Sequence, residues 1–151
     1  MTQSKGLGLF FDARMRRIFL LGIISGFPWV LIGSALSLWL KEDGLSRSAV
    51  GFAGLIFAVY SVNFLWAPII DRLRIPVLTD RLGHRKAWII TMQSIILIGL
   101  LIWSTTAPSV NIFLVMAVGL VIATCSATQD ITIDALRIEQ IDRADSAAMA
   151  A

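Results

Sequence analysis

The chain has 151 residues, of which 57% are hydrophobic and only 15% charged, and its formal net charge is +3. Soluble domains carry about 25% charged residues, so this composition excludes an ordinary soluble enzyme or binding domain. The mean hydropathy of +0.80 places the chain in the membrane class.

Four stretches without any charged residue or histidine follow one another along the chain. Each is roughly 19–23 residues long, and about 20 are needed for a helix to cross the hydrocarbon of a bilayer. We therefore predict an all-α integral membrane protein whose four transmembrane helices cover about 18–40, 49–70, 87–108 and 110–136.

Lysine and arginine are concentrated on one side of the predicted helices. The N-terminal arm, the loop between helices two and three and the C-terminal tail hold eleven of them, whereas the other two loops hold two. The positive-inside rule then places both termini in the cytoplasm, with residues 1–17 as a cytoplasmic arm. Because topology explains the basic charge, we expect a lipid bilayer as partner and no nucleic acid.

The first predicted helix combines Pro28 with three glycines, and such a helix bends or breaks. Carriers often place substrate contacts at irregular helices near the bilayer midplane, although a kinked packing helix is the simpler alternative. Polar or amphipathic residues of the first two helices are the candidates for lining a cavity: Ser25, Gly26, Trp29, Tyr60 and Asn63.

The loop between helices two and three alternates aspartates with cations. An aspartate beside an arginine at a helix end can form the ion pairs that hold a gate shut. The candidate gate residues are Asp71, Arg72, Asp80, Arg81, Gly83, Arg85 and Lys86. His84 is interpreted as a surface residue, since no cluster of ligands beside it indicates a metal, and no cofactor is expected.

The fourth predicted helix carries small residues and two aspartates along one face. At 100° per residue, these positions fall within an arc of roughly 80°, and small residues let helices approach closely. The stripe consists of Gly119, Ala123, Ala127, Asp130 and Asp134.

An ionisable residue inside a membrane helix is a functional-site hypothesis by default. We therefore interpret Asp130, beside Gln129, as a proton or substrate site. Asp134 is a second candidate, although it lies nearer the cytoplasmic end. It is equally explained there by an ion pair with Arg137 in the headgroup region.

Four strings of residues resemble a known family. The loop 80–86 resembles the signature of the major facilitator superfamily, with His84 where that signature usually has arginine. Together with the strings 22–28, 64–72 and 125–135, it resembles the AmpG-type muropeptide permeases of Gram-negative bacteria, whose wider relatives include acetyl-CoA transporters. The resemblance runs from about Arg17 to the end of the chain.

This resemblance implies proton symport of anhydromuropeptides, which are peptidoglycan breakdown products, from the periplasm across the inner membrane. It implies that Gln129 and Asp130 are required for transport and that Asp71, Asp80 and Arg81 form the cytoplasmic gate. Members of the family have at least twelve spans in two six-helix halves. We therefore expect residues 18–151 to be an incomplete N-terminal bundle, inactive without the remaining helices, with 144–151 opening a fifth helix.

Three alternatives remain open from the sequence. The chain could belong to a carrier of acetyl-CoA or another solute, or it could be a complete four-span exporter that works as a homo-oligomer. The third is a membrane enzyme that uses Asp130 and Asp134 with a metal. Such enzymes need further carboxylates that this sequence lacks, so no enzymatic activity is expected.

Overall fold

The computed structural model describes the backbone of residues 13–149 and the side chains of residues 16 and 19–139. These residues form helices, and no strand occurs among them. Four helices are long and apolar enough to cross a membrane, which confirms the predicted all-α membrane fold. We call them spans 1 to 4: Phe19–Glu42, Arg47–Leu65, His84–Ser104 and Ile112–Glu139.

Span 1 belongs to a helix that continues past its proline. The α-helix Ala13–Val30 contains Pro28, a π-helical turn follows at Leu31–Ala35, and the α-helix Leu36–Glu42 completes the span. The wide turn brings Gly33 against span 2. The approach is close, since a Cβ on this residue would lie 2.7 Å from Cζ of Phe57. The expected irregularity is therefore a π-helical turn rather than a break.

Span 2 is interrupted where one helix was predicted over 49–70. The α-helices Arg47–Gly54 and Ala58–Val62 alternate with 3-10 turns at Leu55–Phe57 and Asn63–Leu65. A separate short helix, Ala67–Arg72, has a proline in its first turn. That proline, Pro68, cannot donate a backbone hydrogen bond and crowds the carbonyl four residues earlier, so the chain restarts its helix there.

The loop after span 2 contains a short helix, Leu78–Leu82, which leads directly into span 3. The helix of span 4 is much longer than predicted, because Ile112–Met149 forms one helix of 38 residues instead of ending near 136. Residues 120–149 contain neither glycine nor proline, so the sequence has no residue that would end the helix near 136. Residues 144–149, expected to open a fifth helix, continue the fourth, while 150 and 151 lie outside the described residues.

Span 4 is the central helix of the bundle. In its most apolar window 56% of residues are buried, against 11–22% in the other three spans. The small residues Gly119, Ala123 and Ala127 are all buried, as the one-face pattern predicted. At Gly119, a Cβ would lie 3.0 Å from side-chain atoms of both Ile56 and Trp103.

The end of the bundle opposite the loop between spans 2 and 3 is closed by an aromatic contact. Trp103 packs edge-to-face on Trp39 with ring centroids 5.9 Å apart, and its indole N–H donates to the Val115 carbonyl over 3.0 Å. This bond satisfies a polar group that is buried in the bundle. Spans 1, 3 and 4 therefore meet at a fixed point, and the polar groups of span 4 lie further toward its C-terminal end.

Candidate functional site

Asp130 connects the central helix to span 1. Its carboxylate is half-buried and accepts a hydrogen bond from the Ser25 hydroxyl. The two residues belong to spans predicted independently, and nothing in the sequence pattern paired them. A carboxylate held between two helices faces protein instead of lipid, as ionisable groups in membrane spans almost always do.

Asp134 lies in a different environment one turn further along. Its side chain is 68% exposed and pairs with Arg137 over 3.1 Å. Arg137 in turn lies beside span 1, because a Cβ on Gly22 would be 3.8 Å from its Nη2. The geometry matches the ion-pair alternative for Asp134, and the two aspartates are not equivalent.

Three further polar side chains lie near Asp130 in the sequence or across the helix interface. Ser126 and Gln129 are each only 1% exposed, and Tyr60 of span 2 lies close to both Ser126 and Asp130. Within the described part of the chain, neither amide atom of Gln129 has a hydrogen-bond partner. The hydroxyls of Tyr60 and Ser126 lie within reach of each other but do not form a hydrogen bond of ordinary geometry. We call this set, together with Ser25 and Asp130, the polar cluster.

Of the five predicted cavity residues, only Ser25 and Tyr60 join the polar cluster. Gly26 is exposed, and a Cβ added to it would have no described atom of another segment within 4 Å. Trp29 is 55% exposed and packs edge-to-face on Phe57 with centroids 5.7 Å apart, along an open groove of about 480 Å³. Asn63 is partly buried and begins a 3-10 turn of span 2.

A second group of charged residues forms at the end of the bundle that carries the loop between spans 2 and 3. The Arg85 guanidinium donates to Asp71 over 2.5 Å and to Glu139 over 3.0 Å. It thereby connects the short helix after span 2, the start of span 3 and the end of span 4. Beside it, His84 Nε2 lies 2.9 Å from the Ile70 carbonyl. We call Asp71, Arg85 and Glu139 the inner ion-pair group.

The other predicted gate residues are arranged differently. Gly83 has a φ of +85° and separates the short helix from span 3, a conformation that strongly favours glycine. The remaining four are exposed and form no ion pair with another described side chain: Arg72, Asp80, Arg81 and Lys86.

Sequence reasoning missed two of the residues that the structure brings into these groups. In the sequence, nothing distinguishes Glu139 from any other charged residue beyond the predicted end of the fourth helix. Its partner Arg85 is 54 residues away. Ser126 lies three and four residues before Gln129 and Asp130. That helical spacing was the signal that would have placed it beside them. No group of metal-binding side chains occurs among the residues that the structure describes.

Replacing Arg85 with glutamine is expected to lower the thermal stability of the protein. Both ion pairs are lost, and partly exposed pairs contribute about 0.2–1 kcal/mol each, since the partner side chains are 52% and 44% exposed. Thermal unfolding in detergent measures the change. The matched control is Arg81→Gln, which removes an exposed arginine without a described ion pair, and an equal loss of stability in both variants would contradict the assignment.

The chain is similar to transporters over most of its length. Residues 15–114 match a family model described as acetyl-coenzyme A transporter 1. The chain is 40% identical over 139 residues to a protein named AmpG 4 from Rickettsia felis. The aligned region makes up 89% of this chain and 32% of that protein. It is 36% identical over 132 residues to a protein named AmpG 1 from Rickettsia conorii, covering 87% of this chain and 32% of that one.

A relative with a more specific name covers nearly the whole chain. Over 148 residues the chain is 30% identical to the anhydromuropeptide permease of Escherichia coli K12, a region that makes up 98% of this chain and 29% of that permease. The chain thus spans about a third of the length of the curated relatives it matches. No solved structure matches it.

Proposed function

We propose that this chain, which belongs to the acetyl-coenzyme A transporter 1 family, is part of a proton-coupled muropeptide transporter. The proposal follows from its relatives, which are named AmpG transporters and anhydromuropeptide permease. The chain is a multi-pass membrane protein, and membership of a transporter family favours a non-enzymatic role. Since it aligns to about a third of those relatives, the activity is proposed for a carrier in which further helices complete the substrate cavity.

The observation that carries the proposal is the position of Asp130. Its carboxylate lies between spans 1 and 4, bonded to Ser25 and beside the buried amide of Gln129. Intramembrane carboxylates that face a bundle interior mark proton relays and substrate paths in transporters. A proton on Asp130 would change the charge of this helix contact, which gives a means of coupling protonation to the packing of spans 1 and 4.

The inner ion-pair group is proposed as part of the cytoplasmic gate. Arg85 joins three separate helical segments through Asp71 and Glu139, so releasing it frees the short helix Ala67–Arg72 from the central helix. In this proposal Asp80, Arg81, Arg72 and Lys86 act in the surrounding loop. The neighbouring cavity of about 420 Å³ is lined by His84, Arg85, Lys86 and Glu139 among others.

Orientation and location are also proposals. The excess of lysine and arginine on the side that carries the inner ion-pair group supports a cytoplasmic N-terminus in the inner membrane. Transport would then run from periplasm to cytoplasm, with muropeptide and protons entering together.

A second substrate class has one specific observation in its favour. The matching family model is described by acetyl-coenzyme A transport, so an acyl-coenzyme A is the competing solute. The permease from Escherichia coli, however, aligns with 98% of the chain, which favours the muropeptide. No comparable likeness supports a self-contained four-span exporter.

The test is uptake by the full protein that carries this sequence. It is expressed in a bacterium without its own muropeptide permease, and accumulation of a radiolabelled anhydromuropeptide is measured with and without a protonophore. We expect accumulation that the protonophore abolishes and that unlabelled acetyl-coenzyme A does not compete with.

Each of the other possible results changes a different part of the proposed function. Accumulation that survives the protonophore would remove the proton from the mechanism while keeping the solute. Uptake of radiolabelled acetyl-coenzyme A, without muropeptide uptake, would replace the solute. Absence of both from a correctly inserted protein contradicts the proposal.

A further inference from the structure

Ser126 differs from the neighbouring hydroxyl residues of the central helix. Thr124, Thr128 and Thr132 each donate to the carbonyl four residues earlier, over 2.8–2.9 Å. This back-bonding is the usual way in which a helix satisfies a hydroxyl in an apolar setting. Ser126 is just as buried as Thr132 but has no such bond, so its hydroxyl is available to something else.

Polar groups of matching chemistry surround the Ser126 hydroxyl. Gln129 and Asp130 follow it by three and four residues, which places them on the same helix face with Cβ atoms about 5–6 Å away. Tyr60 of span 2 approaches from across the helix interface. Side chains at this spacing reach one another either directly or through one small bridging molecule.

The unpartnered atoms include donors and acceptors of neutral groups. They are the two hydroxyl groups of Tyr60 and Ser126 and both ends of the Gln129 amide, and each is destabilising when buried without a partner. An anion would need a cation here, and a multivalent metal ion would need several carboxylates. A water molecule, which makes about three hydrogen bonds when buried, fits this mixed neutral set.

We propose that the polar cluster binds ordered water between Tyr60, Ser126 and Gln129, adjacent to the Asp130 carboxylate. The bound water extends hydrogen bonding from Asp130 toward span 2, while Ser25 occupies the side of the carboxylate that faces span 1. If the proposed proton coupling at Asp130 holds, this water is the group through which the carboxylate exchanges its proton. The water site itself does not depend on transport.

Radiolytic footprinting tests the site directly. Hydroxyl radicals formed from a bound water modify the side chains that touch it, and Tyr60 is the one tyrosine of this sequence. The full protein is placed in lipid nanodiscs in ¹⁸O-labelled water, exposed to a short X-ray pulse, and ¹⁸O incorporation at Tyr60 is measured by peptide mass spectrometry. The internal reference is Trp103, which is 7% exposed and already bonded to Val115.

Two variants separate a water site from general looseness of the bundle. Ser126→Ala removes one partner of the water and is expected to lower Tyr60 labelling by about threefold or more, leaving Trp103 unchanged. Thr132→Val is the matched control, because it also removes a buried hydroxyl from the same helix, but one that is bonded to Thr128. It is expected to leave Tyr60 labelling unchanged.

Thermal unfolding is an independent test, because the direction of the Tm change in the Ser126→Ala variant depends on whether water is bound. If Ser126 were dry and unpaired, alanine would remove a destabilising group and raise the Tm; with bound water, alanine removes a hydrogen bond and lowers the Tm. Tyr60 labelling no faster than that of Trp103, equal labelling in the Ser126→Ala variant, or a raised Tm each overturns the water site. None of these results bears on whether the carrier takes up muropeptides, so the two proposals fail separately.

Discussion

Replacing Asp130 with asparagine is expected to reduce gradient-driven muropeptide uptake by the full carrier by about a hundredfold or more, the scale of a positioned proton acceptor. Asparagine keeps an oxygen that accepts from Ser25, so the contact between spans 1 and 4 persists. It cannot take up a proton, so the charge change proposed to couple protonation to the packing of spans 1 and 4 is lost. Uptake into cells or proteoliposomes measures the effect, normalised to the amount of protein in the membrane fraction.

The matched control is the neighbouring aspartate. Asp134→Asn removes a carboxylate of the same helix that is 68% exposed and paired with Arg137, and exposed pairs contribute little. We expect it to retain most uptake. Normal uptake by the Asp130→Asn variant would contradict the role proposed for Asp130. Equal losses in both variants would show that the two carboxylates act as one site.

A second assay separates proton coupling from substrate binding. Exchange of labelled for unlabelled muropeptide at equilibrium requires no net movement of protons. It is therefore expected to survive in the Asp130→Asn variant if Asp130 is a proton site. Loss of exchange together with net uptake would instead make Asp130 a substrate ligand.

Replacing Gly99 with valine is expected to cause a large loss of stability. A Cβ at this position would lie 2.9 Å from Cγ1 and 3.1 Å from Cδ1 of Ile122. Ile122 is fully buried in the central helix, so its side chain can shift only by displacing other packed groups. Overpacking of this kind costs about 1–3 kcal/mol, and here it separates span 3 from span 4.

The control for this change is Gly51→Val. Gly51 also lies inside a helix of a span, but nothing is within 4 Å of its Cβ position, so the two substitutions share their local backbone effect and differ in packing. Thermal unfolding in detergent, followed by tryptophan fluorescence, compares them. A Tm for Gly99→Val equal to that of Gly51→Val would contradict the close packing of spans 3 and 4.

Particular residues show how far the sequence reasoning extended. The stripe Gly119, Ala123 and Ala127 was predicted from spacing alone and is buried, because a helix fixes which residues share a face. Span 2 ends at Leu65 instead of continuing to 70, because Pro68 lacks a backbone N–H although its surroundings are hydrophobic. The length of the fourth helix was wrong because its apolar run ends before its helical sequence does.

The sequence by itself determined the four spans and the side of the central helix on which Asp130 lies. Both follow from local physics: the length of an apolar run against the bilayer thickness, and the fixed rotation of 100° per residue. Such properties need no information about where another helix is.

Only the tertiary structure decided the partners. Ser25 meets Asp130 across 105 residues, and Arg85 meets Glu139 across 54. These contacts depend on how each helix is rotated about its axis and how closely it approaches the next. Packing of side chains such as Ile122 against Gly99 sets those quantities, and packing is a property of several helices together that no single segment encodes.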